Sequence, residues 1–316
     1  MSGVTITGGW TFSGGFTFTE APPPPPPPPE NTAAWFGGGT VSGAVSRVAR
    51  ITFATDTDTA SVRGPLSSAR HYLAAAGNFT DGWFGGGAPS TSRVDRITYA
   101  TDTATASVRG PLSSARYALS AAGNTTNGWF GGGYGPGPKS TVDRITYATD
   151  TATASVRGPL SRIRYGLAAA GNTTDGWFGG GAFGPMSTVD RITYATDTAT
   201  ATVRGPLSLA REYLAAAGNT TDGWFGGGYS VRSTVDRITY ATDTDTASVR
   251  GPLSMARYSL AAAGNSTDGW FGCGYFPGGN LSTVDRITYA TDTATASVRG
   301  PLSLARRYLA AAGGIQ

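Results

Sequence analysis

The stretch LAAAGNTTDGWFGGG at residues 167–181, followed after a short irregular segment by VDRITYATDTATATVRGPLS at residues 189–208, decides the fold. LAAAG reads as a strand of small residues. The Asn, Asp and Gly of NTTDG tolerate the positive φ that tight hairpins need, so WFGGG returns as a second strand. VDRITYAT alternates: in the copy at 142–149, Val142, Arg144 and Thr146 fall on one side and Ile145 and Tyr147 on the other. ATDTAT turns the chain, a short ASV-like strand follows, and the Gly-Pro of GPLS prevents its continuation. One unit is therefore four short strands.

The unit recurs through almost the whole chain. WFGGG or a near copy begins at Trp35, Trp83, Trp129, Trp177, Trp224 and Trp270, at steps of 46 to 48 residues. RIT(Y/F)ATDT begins at Arg50, Arg96, Arg144, Arg191, Arg237 and Arg286. Four strands in such a period match the blade of a β-propeller, and six units predict six blades. A solenoid of that period is usually helical, and strands this rich in Thr, Gly and aromatics are not. Blades converge on an axis, so the crowded inner strand suits Ala-Ala-Ala-Gly, while Trp and Phe one strand out fill the space between neighbours. The ends predict closure. The first unit lacks its LAAAG strand, and the chain finishes with a spare one at 309–313. The fold expected is all-β: a six-bladed propeller of four-stranded blades, closed by pairing of N- and C-terminal strands.

The unit resembles a kelch repeat. Gly179-Gly180 and Tyr194, with their counterparts, match the Gly pair and the Tyr after the variable loop of that family, over most of the chain. The family's outer-strand Trp is missing, because Ala154-Ser155-Val156 stands in its place. That departure leaves propeller closure intact and weakens membership among eukaryotic kelch adaptors.

Three regions are predicted: a strand-forming anchor arm at 1–21, a polyproline spacer at 22–30 and the propeller at 31–316. In the arm, Val4, Ile6, Trp10, Phe12, Phe16 and Phe18 all fall at even positions, separated by Gly-Gly pairs. So few apolar side chains cannot form their own core and need a partner surface, either a second copy or a protein that accepts added strands. The eight prolines Pro22 to Pro29 read as a stiff polyproline II rod of roughly 25 Å.

Strand order puts the spacer on the face of the NTTDG and ATDTAT turns. The loops after WFGGG emerge on the opposite face, and they are the segments that vary: 40–49, 88–93, 134–139, 182–186, 229–232 and 275–281. Tyr134, Phe183, Tyr229, Tyr275 and Phe276 bring aromatics to them, beside Lys139, Met186 and Arg232. These eight residues are the candidate ligand-binding set, suited to carbohydrate or protein.

Composition removes many alternatives. Of 316 residues 47 are Gly, and one Cys with one His rules out a disulfide framework and the common zinc and copper ligand sets. No cofactor, metal or catalytic residue is expected. The Gly triplets lack the Lys-Ser/Thr of a phosphate loop. Net charge of +4 is too small and scattered to argue for nucleic acid. No apolar run suits a membrane span, and the N-terminus carries no secretory signal pattern. His71 is expected at the surface, Cys273 as a neutral replacement of Gly, and the Asp residues of VDR and ATDT in turn and edge roles. The Arg of VRG and the Arg before each LAAAG strand recur in every unit and are expected to pair with the VDR Asp or to cap carbonyls, with rings that attract an anionic ligand as the alternative.

An anchor, a rod and a ring describe a displayed module. The arm and spacer resemble in style those of accessory virion proteins of tailed bacteriophages, including phages of marine cyanobacteria. That resemblance implies a non-enzymatic decoration or fibre protein at the virion surface, docked to other virion proteins through the arm and facing a host glycan or protein. The alternatives are a self-assembling extracellular fibre subunit, with the arm joining copies, and a cytoplasmic kelch-type adaptor.

Overall fold

The computed structural model describes residues 32–313. The six arm residues from Val4 to Phe18, and the spacer, lie outside the described residues.

Six four-stranded antiparallel sheets stand around an axis. In blade 4 the strands run Ala168–Gly171, Asp175–Gly179, Val189–Thr193 and Thr202–Arg204 from the axis outward. The pairing register repeats from blade to blade, Trp177 opposite Arg191 and Phe178 opposite Asp190, as Trp83 lies opposite Arg96 and Phe84 opposite Asp95. Blade 1 is built from both ends of the ring. Ala310–Ala312 forms its inner strand beside Ala33–Gly37, with Trp35 paired to Ala312 and Gly37 to Ala310. Closure thus follows the expected exchange. Thr32, whose carbonyl accepts from the Phe53 N–H, takes the position that Thr80 holds before Tyr99.

The alternation expected of VDRITYAT holds only in part. Val142 and Asp143 are both buried, and the strand stops at Thr146 because Tyr147–Thr149 turns as a single 3₁₀ turn. That turn swings Tyr147 against the Trp of the preceding blade, where it stacks on Trp83 with ring centroids 3.8 Å apart.

Three contacts recur at every blade interface and close cyclically. The first is this Trp–Tyr stack, which adds roughly 0.5–1.5 kcal/mol to the area it buries. At the closing interface Phe53 replaces Tyr and stacks on Trp270 at 3.9 Å. The second is a clasp: each indole N–H donates to an Asp of the next blade, Trp177 to Asp243 at 2.8 Å and, across the closure, Trp270 to Asp56 at 2.9 Å. The same carboxylate takes two guanidinium groups from the Trp side, Arg191 and Arg204 for Asp243, and Arg286 and Arg299 for Asp56. Third, a Phe ring packs against a backbone glycine of the neighbouring blade. A Cβ at Gly179 would come 2.9 Å from the Phe225 ring, and one at Gly272 would come 3.0 Å from Phe36. The closing interface uses the chemistry of the other five, and it gives each core cluster members from two blades.

Inside each blade the Arg before the inner strand turns back under the sheet. Arg164, fully buried, donates to the Phe178 carbonyl and pairs with Asp190 at 2.9 Å. The same ion pair forms in blades 2, 3, 5 and 6. The VDR Asp is therefore not an edge residue: with no solvent exposure it neutralises a buried cation, whose charge burial alone would penalise heavily. The ATDT Asp likewise acts as an interface clasp and not only as a turn residue. The NTTDG segments turn as expected but not through positive φ, which none of their residues adopts; they close as Asx turns, with Asn172 Oδ1 accepting from the N–H groups of Thr174 and Asp175.

Candidate functional site

The inner strands are entered through a doublet that the repeat leaves free to vary: His71-Tyr72, Tyr117-Ala118, Tyr165-Gly166, Glu212-Tyr213, Tyr258-Ser259 and Arg307-Tyr308. The second member of each sits in the left-handed backbone region, for example Tyr72 at φ 58° and Gly166 at φ 64°. This turns its N–H toward the carbonyl of its counterpart in the previous blade. Tyr72 donates to Tyr308, Ala118 to Tyr72, Gly166 to Ala118, Tyr213 to Gly166, Ser259 to Tyr213 and Tyr308 to Ser259, at 2.6 to 2.9 Å. Six backbone hydrogen bonds form a closed ring around the axis, at the face where the variable loops emerge.

Under this ring lies an axial cavity of about 110 Å³, walled by the leucines and alanines of the inner strands. A further stretch of about 100 Å³ continues toward the other face between Ala and Gly residues, with Asn172 beside them. At the mouth, three of the six positions are Tyr and three are small. Tyr72 stacks on Tyr308 at 3.7 Å, Tyr213 meets Tyr308 edge-on at 5.8 Å, and Tyr72 and Tyr213 approach to 5.9 Å although their blades stand opposite each other. Rings from opposite blades meet only over the axis, so the tyrosines cap the channel. Ala118, Gly166 and Ser259 give them room: a Cβ on Gly166 would come 3.0 Å from the Tyr213 ring. The hydroxyl of Ser259 is buried there with no hydrogen-bond partner.

The first members of the doublets make a wider tier. Tyr117, Tyr165, Tyr258, His71 and Arg307 are bridged to the first residue of the loop of their own blade, Tyr117 to Tyr134 and Tyr258 to Tyr275, for example. The Tyr229 N–H reaches the Glu212 carbonyl at 2.7 Å. Aromatic contacts then run along the tier: Tyr117–Tyr134 at 5.4 Å, Tyr134–Tyr165 at 5.4 Å, Tyr229–Tyr258 at 5.3 Å and Tyr258–Tyr275 at 5.5 Å. Arg307 covers the Tyr275 ring at 4.4 Å in a cation–π contact. Burial, together with the nearby Arg307 charge, lowers the His71 pKa, which keeps the imidazole neutral at neutral pH. Burial raises the pKa of the Glu212 carboxyl and those of the Tyr72 and Tyr213 phenols. The whole is a shallow aromatic dish with one carboxyl, one guanidinium and one imidazole at its rim. It can hold a ligand face by ring contact and meet that ligand's edges with hydroxyl groups.

The eight loop residues expected from sequence divide between this dish and its surroundings. Tyr134, Tyr229 and Tyr275 join the tier. Phe183 and Phe276 are exposed at loop tips, Phe276 in a small hairpin of Tyr275–Phe276 with Gly279–Asn280. Arg232 is exposed, and Lys139 and Met186 are half-buried. Lys139 and Met186 take structural bonds, their N–H groups donating back to Gly133 and Gly181. The sequence reasoning missed the mouth itself: Tyr72, Tyr117, Tyr165, Tyr213, Tyr258, Tyr308, Glu212 and Arg307. The signal was present, since these doublets vary between an invariant Arg and an invariant Leu. His71 is not the surface residue expected; it lies half-buried beside Tyr72 at 5.1 Å. Cys273, fully buried at φ 62° in a slot that holds Gly in the other units, packs in the closing interface.

Among the described residues no group of three or more His, Cys, Asp or Glu side chains could hold a metal ion, and no helix is long and apolar enough to cross a membrane. No protein-family model matches the chain, and no curated protein matches it. Solved structures do match. The chain is similar to the one described as "Structure of YjhT", a propeller, with a TM-score of 0.65 and 11% identity over 78% of this chain and 88% of that one. At such identity the likeness is one of fold: the chain is a six-bladed β-propeller, an architecture that fits a binding or structural module.

Proposed function

We propose that this protein is a non-enzymatic recognition module, kelch-like in its repeats, displayed on a larger assembly and binding a ligand at the axial dish. One observation carries the reading. Most of each unit is repeated nearly unchanged, and most of the side chains that differ gather on one face around the axis, with Phe79, Asn127, Asp58 and Asp245 the exceptions in turns of the other face. Thr32 and Gly313, the described ends of the ring, lie on the opposite face, so whatever tethers the chain at residues 1–30 leaves the dish outward. Phenol rings with hydroxyl edges match the alternation of apolar faces and hydroxyl groups on a saccharide ring, which favours a glycan as ligand.

In the setting that the arm and polyproline rod suggest, the assembly is a phage virion, and the partner is a host surface glycan or protein. Other virion proteins then hold the arm through Val4, Ile6, Trp10, Phe12, Phe16 and Phe18. A second reading, a fibre in which the arm of one copy pairs with another copy, is favoured by the outer strands. Their free edges carry Val62, Val108, Val156, Val203, Val249 and Val298, all more than half exposed.

A glycan array probed with the full chain tests the reading. Binding should fall at least tenfold in Tyr213→Ala and Tyr308→Ala, and also in Tyr229→Ala, an exposed member of the tier whose loss leaves the unfolding midpoint unchanged. Binding that survives all three substitutions, or that is lost on changing Thr173 or Thr220 on the opposite face, would place the ligand elsewhere. Removing residues 1–29 should leave a folded ring that binds glycan and no longer attaches to particles.

A further inference from the structure

The sixfold pattern is broken once inside a blade. In blades 2 to 6 the buried Arg faces an Asp, but blade 1 reads VARIT, and Ala49 occupies the Asp position. The backbone has not moved to compensate. Ala49 pairs with Phe36 and Val62 in the register in which Asp95 pairs with Phe84 and Val108. Arg306 is still fully buried and still donates from Nη2 to the Phe36 carbonyl at 2.9 Å. Its Nη1 has no partner, it forms no ion pair among the described residues, and its Nε is unpartnered like that of the other five buried arginines.

A second group is orphaned with it. In blades 2, 4, 5 and 6 the carboxylate accepts from both the N–H and the hydroxyl of a Ser in the GPLS segment, as Asp190 does from Ser161 at 2.9 and 2.6 Å. The equivalent residue of blade 1 is Ser303, and its buried hydroxyl has no partner. Arg47, the counterpart of the Arg93 that reaches Ser67 in blade 2, adds positive charge that opposes the charge of Arg306. The neighbouring thiol of Cys273 does not balance it: burial pushes it up to about 11, so it is neutral, and it donates to the Leu304 carbonyl.

A buried guanidinium without a counter-charge is costly, and the donor set that holds a carboxylate in the other blades is intact here. We propose that Arg306 and Ser303, opposite Ala49, form a binding site for a small free carboxylate such as formate or acetate, which takes the place of the missing Asp side chain. The site lies in the blade that closes the ring, its Arg306 four residues before the strand Ala310–Ala312 begins, so the bound anion fastens the closing strand.

Thermal unfolding of the full chain tests this, with sodium formate replacing the bulky anion isethionate at constant ionic strength. A ligand that binds only the folded state raises the midpoint saturably, here by about 2–4 °C. Sodium chloride should do less, because a sphere cannot accept from the guanidinium and the hydroxyl in carboxylate geometry. Ala49→Asp should unfold at a higher temperature without added anion and lose the formate response. Asp190→Ala copies the defect into blade 4 and should gain a second formate-dependent increment. A wild-type midpoint indifferent to formate, an Ala49→Asp protein that still responds, or a chloride effect equal to that of formate would overturn the proposal.

Discussion

Replacing Asp243 with Ala tests the interface clasp. The carboxylate accepts the Trp177 indole N–H at 2.8 Å and faces Arg191 and Arg204 at 3.1 and 3.4 Å. Trp177 is 1% exposed, so its N–H loses its acceptor without gaining water, at about 1–3 kcal/mol. The two arginines are partly exposed and screened, adding about 0–1 kcal/mol each. Asp243→Ala should therefore lose about 1–5 kcal/mol, centred on about 3, in urea unfolding followed by tryptophan fluorescence. Asp243→Asn keeps an oxygen acceptor for the indole and should lose only about 1 kcal/mol. The decisive comparison is Asp56→Ala, which makes the same deletion at the interface between the first and last blades. It should cost the same as Asp243→Ala to within about 0.5 kcal/mol, since the partners are equivalent and far apart. A silent Asp243→Ala refutes the clasp. A costly Asp243→Ala with a silent Asp56→Ala refutes the closed ring.

Other consequences are open to direct measurement. Burial raises the pKa values of the Tyr99, Tyr147, Tyr194, Tyr240 and Tyr289 phenols, so the folded state keeps protons that the unfolded chain releases near pH 10. Their contribution is complete below that pH and declines above it. Tyrosinate absorbance of these five should therefore appear in one cooperative step with unfolding. Gly158→Ala should destabilise by about 3 kcal/mol in the same urea assay, because its new Cβ would overlap the Ala199 carbonyl of the next blade. Asn172→Ala should cost about 1 kcal/mol, losing both the Asx turn and a 3.3 Å bond to Thr220 of blade 5.

Much of the fold was legible because repetition does what an isolated strand pattern cannot. One four-stranded unit is ambiguous; six copies with a missing inner strand at one end and a spare at the other require a ring. The failures are local and share a cause. Strand alternation placed Tyr147 on the far face of its strand, but the 3₁₀ turn after Thr146 takes it out of the pleat and into the interface with the preceding blade. VDR and ATDT read as polar edge and turn residues, because a sequence does not show that an Arg from the preceding segment returns to Asp190, or that an indole from another blade reaches Asp197. The loop tips stood out as variable, whereas the doublets at the mouth did not. Two varying residues between fixed neighbours look like noise until the positive φ at Tyr72 and Tyr308 turns them toward one axis.

The most direct measurement is a cross-link between the two ends of the ring. Thr40 and Arg307, 267 residues apart, exchange both backbone hydrogen bonds, at 2.9 and 3.2 Å. Such a pair in antiparallel strands brings Cα atoms to about 5.5 Å, within disulfide range. Thr40→Cys with Arg307→Cys, in a Cys273→Gly background that removes the remaining thiol, should oxidise to a monomer that migrates faster on a denaturing gel and unfolds at a higher temperature. Thiols that stay free in the folded protein, or that join only between chains, would contradict the closed six-bladed ring and with it the outward-facing dish.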